Sequence, residues 1–279
     1  MTAVCVRLTP LPPAVRTMLL DFAKVEDCAE TVSAIIARGV VPAALEMMDR
    51  GIVRAVEDFA HAGYPTDAAA VLLVEVDGLP AGVDAQTREV ETAAREHGVG
   101  TIRVAADDAE RALLWKGRKS AFGAIARIAP HYHLHDCVVP RKALAHVLSG
   151  VYAIAQRHDL IVTNVFHAGD GNLHPLFSFD RSVPGTLERV LAASDELVRL
   201  CVDAGGSLSG EHGIGLEKRD FMPLVFTAED LDAQACLRAA FDPDGRMNPR
   251  KVLPDGARCG DYAAAALGRD GALPEGTWI

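Results

Sequence analysis

TNVFHAGDGNLHP, residues 163–175, is the stretch from which the rest of the chain can be read. Apolar residues lead into it (Leu160, Ile161, Val162, Val165, Phe166), and Leu176, Phe177 and Phe179 follow it. Between them lies the turn-forming run Ala168-Gly169-Asp170-Gly171-Asn172. Strand, glycine-rich turn, strand is the pattern. It puts His167 and His174 at the two strand ends, near enough to share a ligand. A second glycine-flanked segment, SLSGEHGIG at 207–215, adds Glu211 and His212. Two histidines and one carboxylate make a three-ligand set that leaves a coordination position open, the arrangement of a catalytic rather than a structural metal site. Glycine permits the backbone geometry that aims short side chains at a common centre. Taken singly, each of these histidines reads more readily as a hydrogen-bonded core or surface residue than as a ligand.

Working outward, residues 1–14 read as a short strand (Val4, Val6, Leu8) and a proline-broken linker. Arg16 to Phe22 suits a strand. Val25, Cys28, Ala29, Val32, Ile35 and Ile36 keep a helical period that Arg38-Gly39 ends. A strand near Leu45–Met48, a helix over 51–60, the strand VLLVEV at 71–76, a helix over 84–97 and a strand at 101–105 follow. This alternation fits either a parallel sheet or a split, ferredoxin-like antiparallel one, and periodicity does not choose. Asp107-Asp108 open a helix carrying Leu114, Arg118 and Phe122, and 131–139 looks extended. Helices are expected from Pro140, over 187–201 and over 228–240, and 241–254 is rich in turns. His131, His133 and His135 would share one strand face, read as a half-exposed strand facing the site rather than as a further metal site.

The 279 residues, 49% of them hydrophobic, supply an ample core. A net charge of -10, with no long basic run, argues against a nucleic-acid or anionic-membrane surface as the main partner. The six cysteines show no C-x-x-C or zinc-finger spacing; Cys28 and Cys201 fall on apolar helix faces as buried thiols, which suits a reducing cytosol. No signal-peptide pattern or membrane span is visible, so a cytoplasmic location is expected, with any membrane association through partner subunits.

LEMMD at 45–49, EDFAHAGYP at 57–65, GRKSAF at 117–122, VFHAGDGNLHP at 165–175, SGEHGIG at 209–215 and RMNPRK at 246–251 together resemble the C-terminal domain of FAD-linked oxidases of the vanillyl-alcohol oxidase superfamily, particularly the glycolate oxidase and D-lactate dehydrogenase type. The resemblance spans about residues 4–265. It implies an α+β fold, a ferredoxin-like cap (substrate) domain over 15–255 with an antiparallel sheet, packed helices and a C-terminal helical segment, followed by a tail at 256–279. It implies a flavin-dependent oxidation of a small 2-hydroxy acid, such as glycolate or D-lactate, to the 2-oxo acid. In that family the residues matching His167, His174 and Glu211 bind a divalent metal (zinc, manganese or iron suit the donors). The residue matching His212 is the base, Arg118 matches a substrate-carboxylate arginine, Asn172 a substrate-side polar residue, and Asn248 lies in a segment near the flavin.

The chemistry asks for these residue types. A histidine accepts a hydroxyl proton near neutral pH. A guanidinium grips a carboxylate with two parallel hydrogen bonds. The glycine-rich flavin-binding domain of the family has no counterpart in this sequence. The expectation is therefore a substrate domain whose flavin domain is lost, split off, supplied by another chain or left out of this sequence. Two other classes remain open: an assembly module that docks onto flavin and iron–sulfur subunits without doing chemistry alone, or an inactive fragment; and a metal hydrolase that uses the same ligands to activate water.

Overall fold

The computed structural model describes residues 2–254; the tail expected over 256–279 lies outside them. Among the described residues nine strands form one sheet: β1 (Ala14–Phe22), β2 (Ala44–Asp49), β3 (Ala70–Gly78), β4 (Val99–Val104), β5 (His131–Leu134), β6 (Cys137–Val138), β7 (Ile161–His167), β8 (Asn172–Leu173) and β9 (Pro175–Phe179). The α-helices among the described residues are α1 (Val25–Ala37), α2 (Arg50–Ala60), α3 (Pro80–Glu96), α4 (Asp108–Ala124), α5 (Leu144–Arg157), α6 (Thr186–Asp203) and α7 (Ala228–Phe241). The first four strands lie side by side in the order β4-β1-β3-β2, and each of their pairings is antiparallel. That is the ferredoxin-like order, with α2 added at the connection between β2 and β3. The sheet continues from β2 into β7 through the pairs Glu46↔His167, Met47↔Phe166 and Met48↔Val165.

The inner stretches of β1 and β3 are apolar without alternation because helices cover both faces. Met18, Leu20, Phe22, Met47, Leu72, Val74, Phe166 and Phe177 point into a core closed by α1, α3, α5 and α6. Leu19, Met48, Val71, Leu73, Val165 and Leu176 point the other way, onto α2 and α4. Half-covered antiparallel strands alternate apolar and polar; here VLLVEV and MLLDF do not, since each side chain has a buried face to enter. Helix starts are set locally. Asp49 accepts from the Ile52 N–H at 3.2 Å and Asp107 from the Glu110 N–H at 2.8 Å, caps worth about 1 kcal/mol each. Gly39, at φ +79°, takes the left-handed position that ends α1.

Three expectations need correction. Residues 2–12 form no strand: Val4, Val6 and Leu8 are exposed, with neither a neighbouring strand nor an apolar face to hold them, and β1 begins at Ala14. Pro140 does not start a helix directly; a 3-10 turn at Arg141–Ala143 precedes α5. The central stretch is more than a hairpin. β8 is two residues long, the chain bends at His174, and β9 runs back along β7 with Asn164 opposite Pro175.

Candidate functional site

β7 brings His167 to the end of its strand, and a 3-10 turn at Ala168–Asp170 reverses the chain. Gly171 closes that turn at φ +71°, and a Cβ there would lie 2.2 Å from the Val139 carbonyl oxygen, so only glycine fits. The bend between β8 and β9 turns His174 inward: it is 2% exposed, with the Phe122 ring of α4 centred 6.4 Å away. The His167 and His174 ring centres are 5.6 Å apart.

The segment after α6 is hung on one carboxylate. Asp136, fully buried between β5 and β6, accepts from the Ser209 hydroxyl at 2.7 Å and from the backbone N–H groups of Gly210 (3.0 Å), Glu211 (3.2 Å) and His212 (2.9 Å). The Lys218 ammonium adds a contact at 3.2 Å. Burial works against this charge, but the Ser209 and His212 hydrogen bonds and Lys218 prevail and hold the Asp136 carboxyl well below its ordinary range. Gly210 sits flat on the Asn172 amide, where a Cβ would come within 2.6 Å of its atoms.

Thus held, Glu211 presents Oε1 3.3 Å from His174 Nε2, 3.8 Å from His167 Nε2 and 3.7 Å from His212 Nε2. The His212 ring stacks on His174, with centres 5.2 Å apart and planes 12° from parallel. His167, His174 and Glu211 each offer a donor atom, and all three atoms lie within 4.8 Å of one another. The two Glu211 spacings, 3.3 and 3.8 Å, suit donors that share one ion through bonds of about 2.1 Å, and a donor pair as far apart as 4.8 Å would draw closer on binding. His174 fits a ligand's role on a second count. Neither of its ring nitrogens has a hydrogen-bond partner among the described residues, and burial pushes its pKa down to about 4, so the imidazole is neutral at pH 7. An orphaned buried imidazole facing a carboxylate is a site that a divalent cation would complete.

One more side chain joins the cluster. Glu46 of β2, 7% exposed, lies 2.8 Å from His167 Nδ1 through Oε1 and takes Arg118 Nε (3.0 Å) and Nη2 (2.8 Å) on Oε2. Burial opposes the Glu46 charge, but the His167 hydrogen bond and the Arg118 guanidinium outweigh it and lower its pKa; the same hydrogen bond raises that of His167. A cavity of about 450 Å³ opens beside this pair, lined in part by Leu45, Glu46, Arg141, His167, Gly169 and Asp170.

The structure therefore brings together His167, His174, Glu211 and His212, with Arg118 joined to them through Glu46 and Asn172 under the Gly210 loop. The Asn172 Oδ1 is buried without a hydrogen-bond partner. Asn248 stands apart in the turn after α7, at φ +49°, its carbonyl accepting from Arg238. His131, His133 and His135 form no metal-binding group among the described residues: His131 is exposed, His133 pairs with Glu217 at 3.4 Å, and His135 is buried with Nδ1 against the Pro175 carbonyl. Sequence reasoning missed Glu46, Asp136 and Lys218. A carboxylate inside the apolar run LEMMD, and another between His135 and Cys137, were the signals.

Across residues 11–252 the chain matches the family of FAD linked oxidases, C-terminal domain. It belongs to that family. The FAD-linked oxidase domain is 46% identical over 263 residues to the glycolate oxidase subunit GlcD of Escherichia coli K12, covering 94% of this chain and 53% of that protein. It is 35% identical over 257 residues to the GlcD subunit of Bacillus subtilis 168, covering 92% of this chain and 55% of the other. The chain thus spans about half the length of the relatives it matches. A crystal structure of p-cresol methylhydroxylase with substrate bound superposes with a TM-score of 0.67 at 15% identity, over 88% of this chain and 54% of that one, a likeness of fold. The α+β, ferredoxin-like architecture expected from the sequence is the one found.

Proposed function

We propose that this FAD-linked oxidase domain is the substrate- and metal-binding part of a flavin-dependent dehydrogenase that oxidises a small 2-hydroxy acid, glycolate or D-lactate, to the 2-oxo acid. One observation carries the reading: His167, His174 and Glu211 converge within 4.8 Å beneath the His212 ring. The 46% identity to a glycolate oxidase subunit points to the same chemistry.

His167, His174 and Glu211 would hold a divalent ion, zinc, manganese or iron, all of which accept imidazole and carboxylate donors. When bound, such an ion would lower the pKa of the substrate hydroxyl, and FAD would supply the hydride acceptor. The chain's own groups do the rest. His212, half-exposed on the open side of the cluster, takes the hydroxyl proton on an imidazole nitrogen. Arg118 has Nε and Nη2 tied to Glu46, so Nη1 is the end it offers to the substrate carboxylate. Asn172 offers its unpartnered Oδ1 to the substrate, and Asn248 belongs on the flavin side. A flavin-binding domain or subunit and an iron–sulfur subunit are the partners this reading asks for. No helix among the described residues is long and apolar enough to cross a membrane, and the location proposed is cytoplasmic, with any membrane association through those partners.

The test is His167→Ala in the flavin-complemented enzyme, read by elemental analysis and by 2-hydroxy-acid turnover. Loss of the bound ion and a fall in turnover of about a hundredfold or more is expected. Unchanged metal content and turnover would overturn the assignment.

A further inference from the structure

We propose that Glu46 is a positioning residue of the metal centre, fixing His167 with its Nδ1–H toward the Glu46 carboxylate so that Nε2 is left to the ion. The proposal rests on the metal reading above and adds to it a residue outside the ligand set. A carboxylate inside an apolar strand is costly unless every lone pair it turns inward is used. Glu46 spends its two oxygens on different partners: Oε1 on His167 Nδ1, and Oε2 on Nε and Nη2 of Arg118. Two guanidinium nitrogens converge on Oε2 and hold that oxygen, which leaves Oε1 facing the imidazole as its acceptor.

The sheet puts the pair in register. Glu46 and His167 are direct cross-strand partners of β2 and β7, so their side chains leave the same face at adjacent positions. The far nitrogen, Nε2, is the one that faces Glu211, at 3.8 Å. Which nitrogen of a neutral imidazole carries the proton is decided by the partner of the other nitrogen, and a carboxylate behind a metal-binding histidine orients the ring and makes it a better donor. Glu46 is not itself in the group whose donor atoms come within 4.8 Å of one another. Its place is one bond further out.

The experiment uses the full chain, stripped of metal and labelled with 15N-histidine. Nitrogen–proton correlation spectra are recorded at alkaline pH, where the imidazoles are neutral, and the His167 signals are assigned by their absence in His167→Ala. Wild type should show His167 with its proton on Nδ1, and Glu46→Gln a mixture dominated by the Nε2–H form. Zinc titration against a competing chelator should then give a tenfold to hundredfold weaker affinity for Glu46→Gln. A wild-type His167 protonated on Nε2, or zinc bound equally by wild type and Glu46→Gln, would overturn the proposal. A wild-type chain that takes up no zinc would instead overturn the metal reading beneath it. If Glu46→Gln does not fold, the wild-type tautomer still decides, with Glu46→Asp as the variant for the titration.

Discussion

Asp136 gathers one hydroxyl, three backbone N–H groups and an ammonium around a single buried carboxylate, and so anchors the loop bearing Glu211 and His212. Asp136→Asn keeps the shape but replaces an acceptor oxygen with a donor and leaves Lys218 as a buried cation without its counter-charge. We expect a loss of about 3–5 kcal/mol in urea unfolding together with weaker zinc binding. Stability within about 0.5 kcal/mol of wild type would show that the loop is held by other means. Gly210→Ala tests the same loop from its other side. The new methyl group would lie 2.6 Å from the Asn172 amide, so a cost of about 1–3 kcal/mol is expected in the same assay. Glu211 and His212 were legible in the sequence because glycines flank them. Asp136 was not: it meets its loop across 75 residues of chain, a distance at which no local period operates.

At the scale of elements, the helices and the long strands could be read from their apolar patterns, as VLLVEV and the Val25–Ile36 stripe show. The direction of the strands could not, because strands buried on both faces look the same in parallel and antiparallel sheets. The bend at His174 was hidden too, since β8 is only two residues long. Nor does the sequence announce how closely α4 approaches the segment after α2. A Cβ on Gly117 would lie 2.7 Å from Ala62 and 2.8 Å from the Tyr64 ring, whose hydroxyl donates to the Leu114 carbonyl. Alanine favours an isolated helix over glycine by about 1 kcal/mol. Here the crowding wins, and Gly117→Ala should lower stability by about 1–3 kcal/mol. A midpoint in thermal circular dichroism that stays level or rises would show that α4 has room to move.

For the molecule as a whole, the His135 ring gives the acid response a definite sign. Burial, helped by His133, pushes its pKa down to about 3, while the unfolded chain titrates near 6.5. Below that value the unfolded form takes up a proton that the folded form refuses. This contribution is complete above about pH 6.5 and falls by about 1.4 kcal/mol per pH unit as pH drops toward 3. Urea unfolding at pH 7.5 and pH 5.0 should show the loss, and His135→Phe should flatten it; an unchanged slope in the variant would assign the acid response to other groups. The two-faced core carries a further consequence. A sheet that is apolar on both sides has little in its pattern to oppose a slip of one residue. The buried polar pairs act as notches instead. Thr17 faces Glu75 across β1 and β3 and donates to it at 2.5 Å, and Glu46 faces His167 across β2 and β7. A slipped strand would strand a carboxylate in the interior and, in the second case, pull the histidine away from its partner. On the metal reading one contact would therefore both align the sheet and prepare the centre, so uptake of the ion would certify that a chain has paired its strands correctly.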